Sequence, residues 1–440
     1  MDPRRIDRLR HPLIMTTSSR APSFAVVARD LVHPPSEEVT ETGVRRRLDD
    51  SAVPAPGKIR IALVADTLDG WVGGGIIAGR RFVDKLRENH RVITIGAALP
   101  ESDPDHVTMA GFQLPSRTMR EMQFFMARPD RKRLREAFAQ VDVVHLHFPF
   151  WLSYVALEEA RALDLPVVAS FHVQPENALL NAGIRSAMLS RMMYRLWIDR
   201  LYNRTDAVVC PSAFAERKLR SYGLTVPTYI VSNGTPPDFH PRTIARHPSP
   251  DGKIVVLSVG RLAAEKRHDV LIEAVMRSRH RDRIRLVLAG PGTLDPKLRK
   301  QLELLPNAAE VGFVERSRLQ ELFESADIFV HASDIELEGM AVVEAMTMGV
   351  PVLVSDSAES AAADFALDDR FRFRSGDPQA LADRLDALLD EPDVLRDAGA
   401  RYAEFAHTLD FGQSVDRLVD VYRAVIGKRE MDGAASERVG

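Results

Sequence analysis

Two glutamates eight positions apart, Glu336 and Glu344, stand either side of a glycine in the segment HASDIELEGMAVVEAMTMGVPVLVSDS (residues 331–357). The segment leaves an apolar, strand-like run, crosses an acidic loop and enters a helix that begins near Met340. Gly339 permits close backbone approach, and a helix start aims free N–H groups and a positive dipole end at an anion. A diphosphate suits that place. Carboxylates on either side of it could accept hydrogen bonds from hydroxyl groups, Glu336 from a sugar and Glu344 from a ribose. Taken alone, two glutamates at a helix start are equally what the dipole and solvation would favour. The earlier segment SVGRLAAEKRHDVLIEA (258–274) adds Arg261 just after a strand and Lys266 five residues on. Both could reach the same cleft and stabilise a departing diphosphate without a metal. A single exposed Arg or Lys is usually only a surface charge.

In the first half of the chain, SFHVQPEN (170–177) follows an apolar strand-like run, so His172 falls at that strand's carboxyl end. Gln174, Glu176 and Asn177 come next and could touch an acceptor. A lone histidine in such a place is more often structural. A glycine loop (73–75) follows the first strand and is either a tight turn or a bed for phosphates or the acceptor. His145 and His147 alternate on a strand without a third ligand at a recognisable spacing, so they are structural or cleft-lining and no metal is expected. Asp103 and Asp105 make a D-x-D pattern in a loop ahead of no suitable strand, which reads as a solvated turn. No cofactor is implied.

These residues need elements to hold them. Runs at 58–65, 92–95, 141–145, 167–171 and 207–210 have the apolar character of buried parallel strands and alternate with helical stretches, the rhythm of βαβ units. After a linker-like stretch at 240–252 the rhythm restarts, with strands expected at 253–259, 284–289, 309–311, 328–331 and 351–354. The fold class is therefore α/β, two Rossmann-like domains facing across a cleft, with ligands beyond the carboxyl ends of the strands. The expected division is a disordered extension over 1–57, a first domain over 58–239, a second over 240–408, a closing helix over 409–427 and a tail over 428–440. The dehydrogenase turn G-x-G-x-x-G is absent after the first strand, where WVGGGIIAG has another spacing.

With 440 residues there is room for two cores. The 45% hydrophobic and 28% charged shares exclude a disordered or membrane-embedded chain. A net charge of −3 gives no field that would draw nucleic acid. The lone Cys210 excludes an internal disulfide, and no apolar run is long enough to cross a bilayer, so a cytoplasmic location is expected. Two basic, Met- and aromatic-bearing stretches, 117–135 and 184–204, leave open a peripheral contact with the inner face of the membrane. The second leads into a strand and needs an apolar face to cover the sheet, which favours the first for that contact.

VGGG (72–75), DVVHLHFPF (142–150), SNGTPPDFHP (232–241), VGRLAAEK (259–266), AGPG (289–292) and the E-x(7)-E element together resemble retaining glycosyltransferases of family 4, which have the GT-B fold. The resemblance covers residues 58–426. It implies transfer of a hexose from a nucleotide-diphosphate sugar to a hydroxyl of a sugar or lipid acceptor, with retention of anomeric configuration. It places His172 and Glu336 as catalytic positions at the reacting sugar. The donor contacts it implies fall on Arg261, Lys266, Gly339, Met340, Ala341 and Glu344; Gly74 joins the donor side by its place after the first strand, and Gln174, Glu176 and Asn177, in the loop after a strand, are the candidate acceptor contacts. Glu338 departs from the family, where an aromatic or small residue often stands, and bears on the donor sugar. An ELEGM sequence resembles relatives that act on lipids or cell-envelope glycans. An epimerase or phosphorylase of similar fold, and a silent sugar-nucleotide-binding protein, are the other classes this architecture admits.

Overall fold

The computed structural model describes residues 57–69, 73–97, 105–113, 124–236, 239, 251–292 and 295–437. The extension over 1–56, most of the linker-like stretch, Asp103 and residues 117–123 of the first basic stretch lie outside the described residues.

The first half is built from β1 (Arg60–Val64), α1 (Gly74–Leu86), β2 (Arg91–Gly96), β3 (His106–Thr108), β4 (Ala110–Phe112), β5 (Met126–Arg128), α2 (Arg131–Phe138), β6 (Val143–Leu146), α3 (Trp151–Ala162), β7 (Val167–Ser170), α4 (Pro175–Asn181), α5 (Ala187–Arg200), β8 (Ala207–Cys210), α6 (Ala213–Ser221) and β9 (Thr228–Ile230). The second half follows as β10 (Ile254–Val259), α7 (His268–Arg277), β11 (Ile284–Ala289), α8 (Pro296–Leu302), β12 (Glu310–Gly312), α9 (Arg316–Ser325), β13 (Ile328–His331), α10 (Met340–Thr347), β14 (Val352–Ser355), β15 (Arg372–Phe373), α11 (Pro378–Leu389) and α12 (Pro392–Ala406). A last helix, α13 (Phe411–Glu437), ends the described chain.

The first sheet has the order β3-β2-β1-β6-β7-β8-β9 and the second β12-β11-β10-β13-β14-β15. Every pairing in both is parallel. Each sheet therefore reverses its winding once, between β1 and β6 and between β10 and β13, and a crevice opens at that point beyond the strand ends. Two Rossmann-like domains are what these sheets make. The central strands are buried along their whole length because helices cover both faces. On one face of the first sheet lie Leu134, Phe138, Leu157, Trp197 and Leu219, from α2, α3, α5 and α6. On the other lie Ile76 and Phe82 of α1 with Phe411, Leu418, Val419 and Tyr422 of α13, which comes from beyond the second domain to pack on the first. Phe82 and Phe411 meet with ring centroids 5.2 Å apart. Helix α13 runs on to Glu437, through much of the stretch expected as a tail.

Candidate active site

Loops after β1, β7, β10 and β13 converge on one cavity of about 630 Å³ between the domains. From the second domain it is lined by Arg261, Lys266, Glu336, Glu338, Gly339, Met340, Ala341 and Glu344. Gly74, Arg81, His172, Gln174 and Asn177 line it from the first.

Helix α10 begins as its residues dictate. Gly339 stands at its N-cap with φ 96°, in the left-handed region that glycine enters without strain. The carbonyl of Gly339 accepts from the N–H of Val342 at 2.8 Å and of Val343 at 3.2 Å. Met340 and Ala341 thus form the half-buried first turn, facing the cavity with the positive end of the helix. Upstream, the backbone of Glu336 is pinned in both directions: its N–H donates to the carbonyl of Glu359 at 3.1 Å, and its carbonyl accepts from Ala361 at 2.9 Å.

The Glu336 side chain forms an ion pair with Lys266, and His331 Nε2 lies 3.2 Å from the same oxygen. Burial alone would raise the Glu336 pKa, but Lys266 and His331 outweigh it and hold the carboxyl well below its ordinary range. It is a carboxylate at any physiological pH. Arg261 pairs with the buried Glu265, which holds the guanidinium at the cavity wall. Glu344 accepts from Arg81 Nη2 at 3.1 Å, a contact between the domains. The spacing Gly74, Ile77 and Arg81 along α1 places them on one helical face, a signal that would have found Arg81 in the sequence.

His172 lies just beyond β7, half-buried at the cavity, and packs on the buried His147 with ring centroids 4.5 Å apart. Burial, then the neighbouring His147 and His145, hold its pKa well below the ordinary value, so the ring is neutral. The Nε2–H of His147 donates to the carbonyl of Gly75 at 2.7 Å, which fixes its tautomer and ties the start of α1 to the end of β6. Burial brings its pKa down to about 4. His145 is structural: it bonds Tyr422 Oη of α13 at 2.5 Å and Ser170 Oγ at 2.7 Å.

Not every expected residue reaches the cavity. Glu176 instead accepts from Tyr194 Oη at 3.0 Å and lies 3.9 Å from Lys218 Nζ, outside the cavity lining. Gln174 lines the cavity, but its Nε2 donates to the carbonyl of Glu359 in the other domain at 3.1 Å. The glycine loop is a helix start, with Gly74 and Gly75 already inside α1. Asp105 pairs with Arg91 at 3.1 Å. Among the described residues no three His, Cys, Asp or Glu side chains gather as a metal site would require.

Glu338 lines the cavity, but its oxygens are committed elsewhere. Its carboxylate accepts from Ser232 Oγ and from the Asn233 N–H, 3.0 Å from Oε2, across the domain boundary. Burial pushes its pKa up to about 7, although Ser232 and Asn233 pull the other way.

Residues 72–239 match the model for Glycosyltransferase Family 4, and residues 240–405 the model for Glycosyl transferases group 1. The chain is 31% identical over 313 residues to a GDP-mannose-dependent alpha-mannosyltransferase of Mycolicibacterium smegmatis, covering 68% of this chain and 80% of that one. It is 25% identical to the alpha-monoglucosyldiacylglycerol synthase of Streptococcus pneumoniae, over 67% of this chain and 70% of that one. Among solved structures, the sucrose-phosphate synthase of Thermosynechococcus elongatus superposes with a TM-score of 0.65 at 19% identity, covering 84% of this chain and all of that one. Anabaena HepE in complex with UDP-glucose gives 0.64 at 14% identity, covering 82% of this chain and 99% of that one. Sequence and fold agree, and the chain belongs to glycosyltransferase family 4, whose members have the GT-B architecture and transfer sugars from nucleotide-sugar donors to acceptors.

Proposed function

We propose that the chain transfers a hexose from a nucleotide-diphosphate sugar to a hydroxyl of a lipid or cell-envelope glycan, with retention of anomeric configuration. The observation that carries this reading is the convergence of Arg261, Lys266, Glu336, Glu344 and the start of α10 on one cavity closed from the other side by His172. Arg261, Lys266 and the first-turn N–H groups of Met340 and Ala341 receive the diphosphate. Glu336 accepts from hydroxyls of the transferred sugar and Glu344 from the ribose. An apolar wall of Phe313, Val314 and Leu319 suits the flat base. Gly74 adds backbone beneath the donor, and Asn177 with Gln174 faces the acceptor.

As the anomeric bond lengthens, negative charge grows on the diphosphate, where fixed cations and N–H groups stabilise it without reorganising. Four of the carboxylates on the cavity wall are committed: Glu265 to Arg261, Glu336 to Lys266, Glu344 to Arg81 and Glu338 to Ser232 and Asn233. Asp84 is exposed on α1. That arrangement favours attack of the acceptor hydroxyl on the face the diphosphate leaves, with a diphosphate oxygen taking the hydroxyl proton. The acceptor oxygen bonds to the anomeric carbon as the bond to the diphosphate breaks. Neutral His172 hydrogen-bonds a hydroxyl of the reacting sugar.

Transfer by the purified protein, measured with UDP-, GDP- and ADP-sugars, tests the reading. Lys266→Ala and Glu336→Ala lower turnover by at least about a hundredfold, the scale of losing a charged contact at the reacting centre. The product's anomeric proton coupling reports retention. Turnover equal to the parent's in either variant, or an inverted product, overturns the proposal.

A further inference from the structure

Helix α5 covers the sheet with one side only. Ser190, Tyr194, Trp197 and Ile198 are buried, while Met188, Met192 and Leu196 are 68%, 58% and 54% exposed. These three recur every four residues, so they form a single stripe on the outward face. Ile184, also exposed, continues it into the preceding loop. Arg185, Arg191, Arg195 and Arg200 surround the stripe and are exposed, against one acid, Asp199, in residues 184–200. Four positive charges less one negative leave a local excess of three. Apolar side chains framed by arginine are the composition of a helix that lies in a lipid interface.

The other basic stretch lacks this. Where it enters α2, Leu134 is buried together with Ala137 and Phe138 just beyond it, and Arg131 and Arg135 are ion-paired to Glu158 and Glu159. Self-association through α5 is disfavoured, because two copies would oppose like charges around a narrow apolar contact. Helix α5 packs beside a helix of the cavity wall: α4, whose Asn177, Ala178 and Asn181 line the cavity, ends three residues before Ile184.

We infer that α5 seats the first domain on an anionic lipid bilayer, with Met188, Met192 and Leu196 entering the acyl boundary and the four arginines meeting lipid phosphates. A bilayer-held acceptor then meets the acceptor side of the cavity without leaving the interface. This extends the lipid-acceptor reading, yet seating itself requires neither donor nor transfer.

Sedimentation of the full chain with vesicles separates the two. With phosphatidylcholine containing about one third phosphatidylglycerol, the protein pellets, and it stays in the supernatant with phosphatidylcholine alone. The triple variant Met188→Ser, Met192→Ser, Leu196→Ser lowers the bound fraction at least about fivefold, while its melting temperature and its turnover on a water-soluble acceptor stay at the parent's values. Arg191→Gln with Arg195→Gln makes the remaining binding fail at lower salt. A parent protein left in the supernatant with anionic vesicles overturns the inference. So does a triple variant that pellets like the parent, or a parent dimer in size-exclusion chromatography that the triple variant abolishes.

Discussion

Glu338 holds a carboxyl group in a place that resists charge. It is buried, its pKa stands at about 7, and its oxygens are committed to Ser232 and Asn233. An unfolded glutamate titrates near 4.3, so the folded state binds the proton more tightly. The stability from that proton is complete below about pH 4 and is lost as pH rises through about 7, a loss on the order of 3 kcal/mol for a buried group. Glu338→Gln, which stays neutral and keeps an acceptor for Asn233, therefore melts above the parent at pH 8, and the gap closes toward pH 5. Thermal unfolding at the two pH values checks this, and an offset that does not change with pH contradicts it. Some dependence survives in the variant, since burial also pushes Asp66 up to about 7. At this scale the sequence was readable where the strand–helix pattern places a charge, since the four charges it singled out in the second domain all line the one cavity. Arg261, Lys266, Glu336 and Glu344 are charges at strand ends and helix starts, whereas the commitment of Glu176 to Tyr194 depends on a helix packing that spacing does not encode.

The elements that present these residues follow from local physics. The β10 and β11 strand ends approach so closely that a Cβ on Gly290 would lie 1.9 Å from the carbonyl oxygen of Gly260. No side chain fits there. Gly290→Ala forces β10 and β11 apart just before Arg261, and a clash of this kind destabilises by about 1–3 kcal/mol or more. Differential scanning calorimetry should show a melting point several degrees lower, with transfer falling further than stability explains because Arg261 moves; an unchanged midpoint contradicts the packing argument. The long apolar strands of both sheets were legible as runs of Val, Ile, Leu and Ala. The strands β3, β9 and β15 and the hairpin β4–β5 were not, because two or three residues at a sheet edge, partly exposed, carry too little apolar pattern to separate them from loop.

Across the whole molecule the halves are fastened by contacts between residues far apart in sequence. Arg81 and Glu344, 263 positions apart, pair at 3.1 Å. Arg217 meets Asp364 at 3.1 Å, Lys218 meets Glu359, and Ser212 Oγ donates to the Leu337 carbonyl. Helix α13 adds an apolar seam on the first domain. Two domains were legible because the strand–helix rhythm starts twice; the fastening was not, because no local pattern records which surface charges will face one another. This arrangement brings His172, Arg261, Lys266, Glu336 and Glu344 to one cavity. The proposed transfer depends on a grip by Arg261, Lys266 and the α10 start on a diphosphate. Titration calorimetry with UDP, GDP and ADP, and with the matching nucleosides, measures that grip directly. At least one diphosphate binds the parent, Lys266→Ala and Arg261→Ala each weaken it about tenfold or more, and the nucleoside's weaker binding hardly changes. Diphosphate affinity in both variants equal to the parent's would contradict the account.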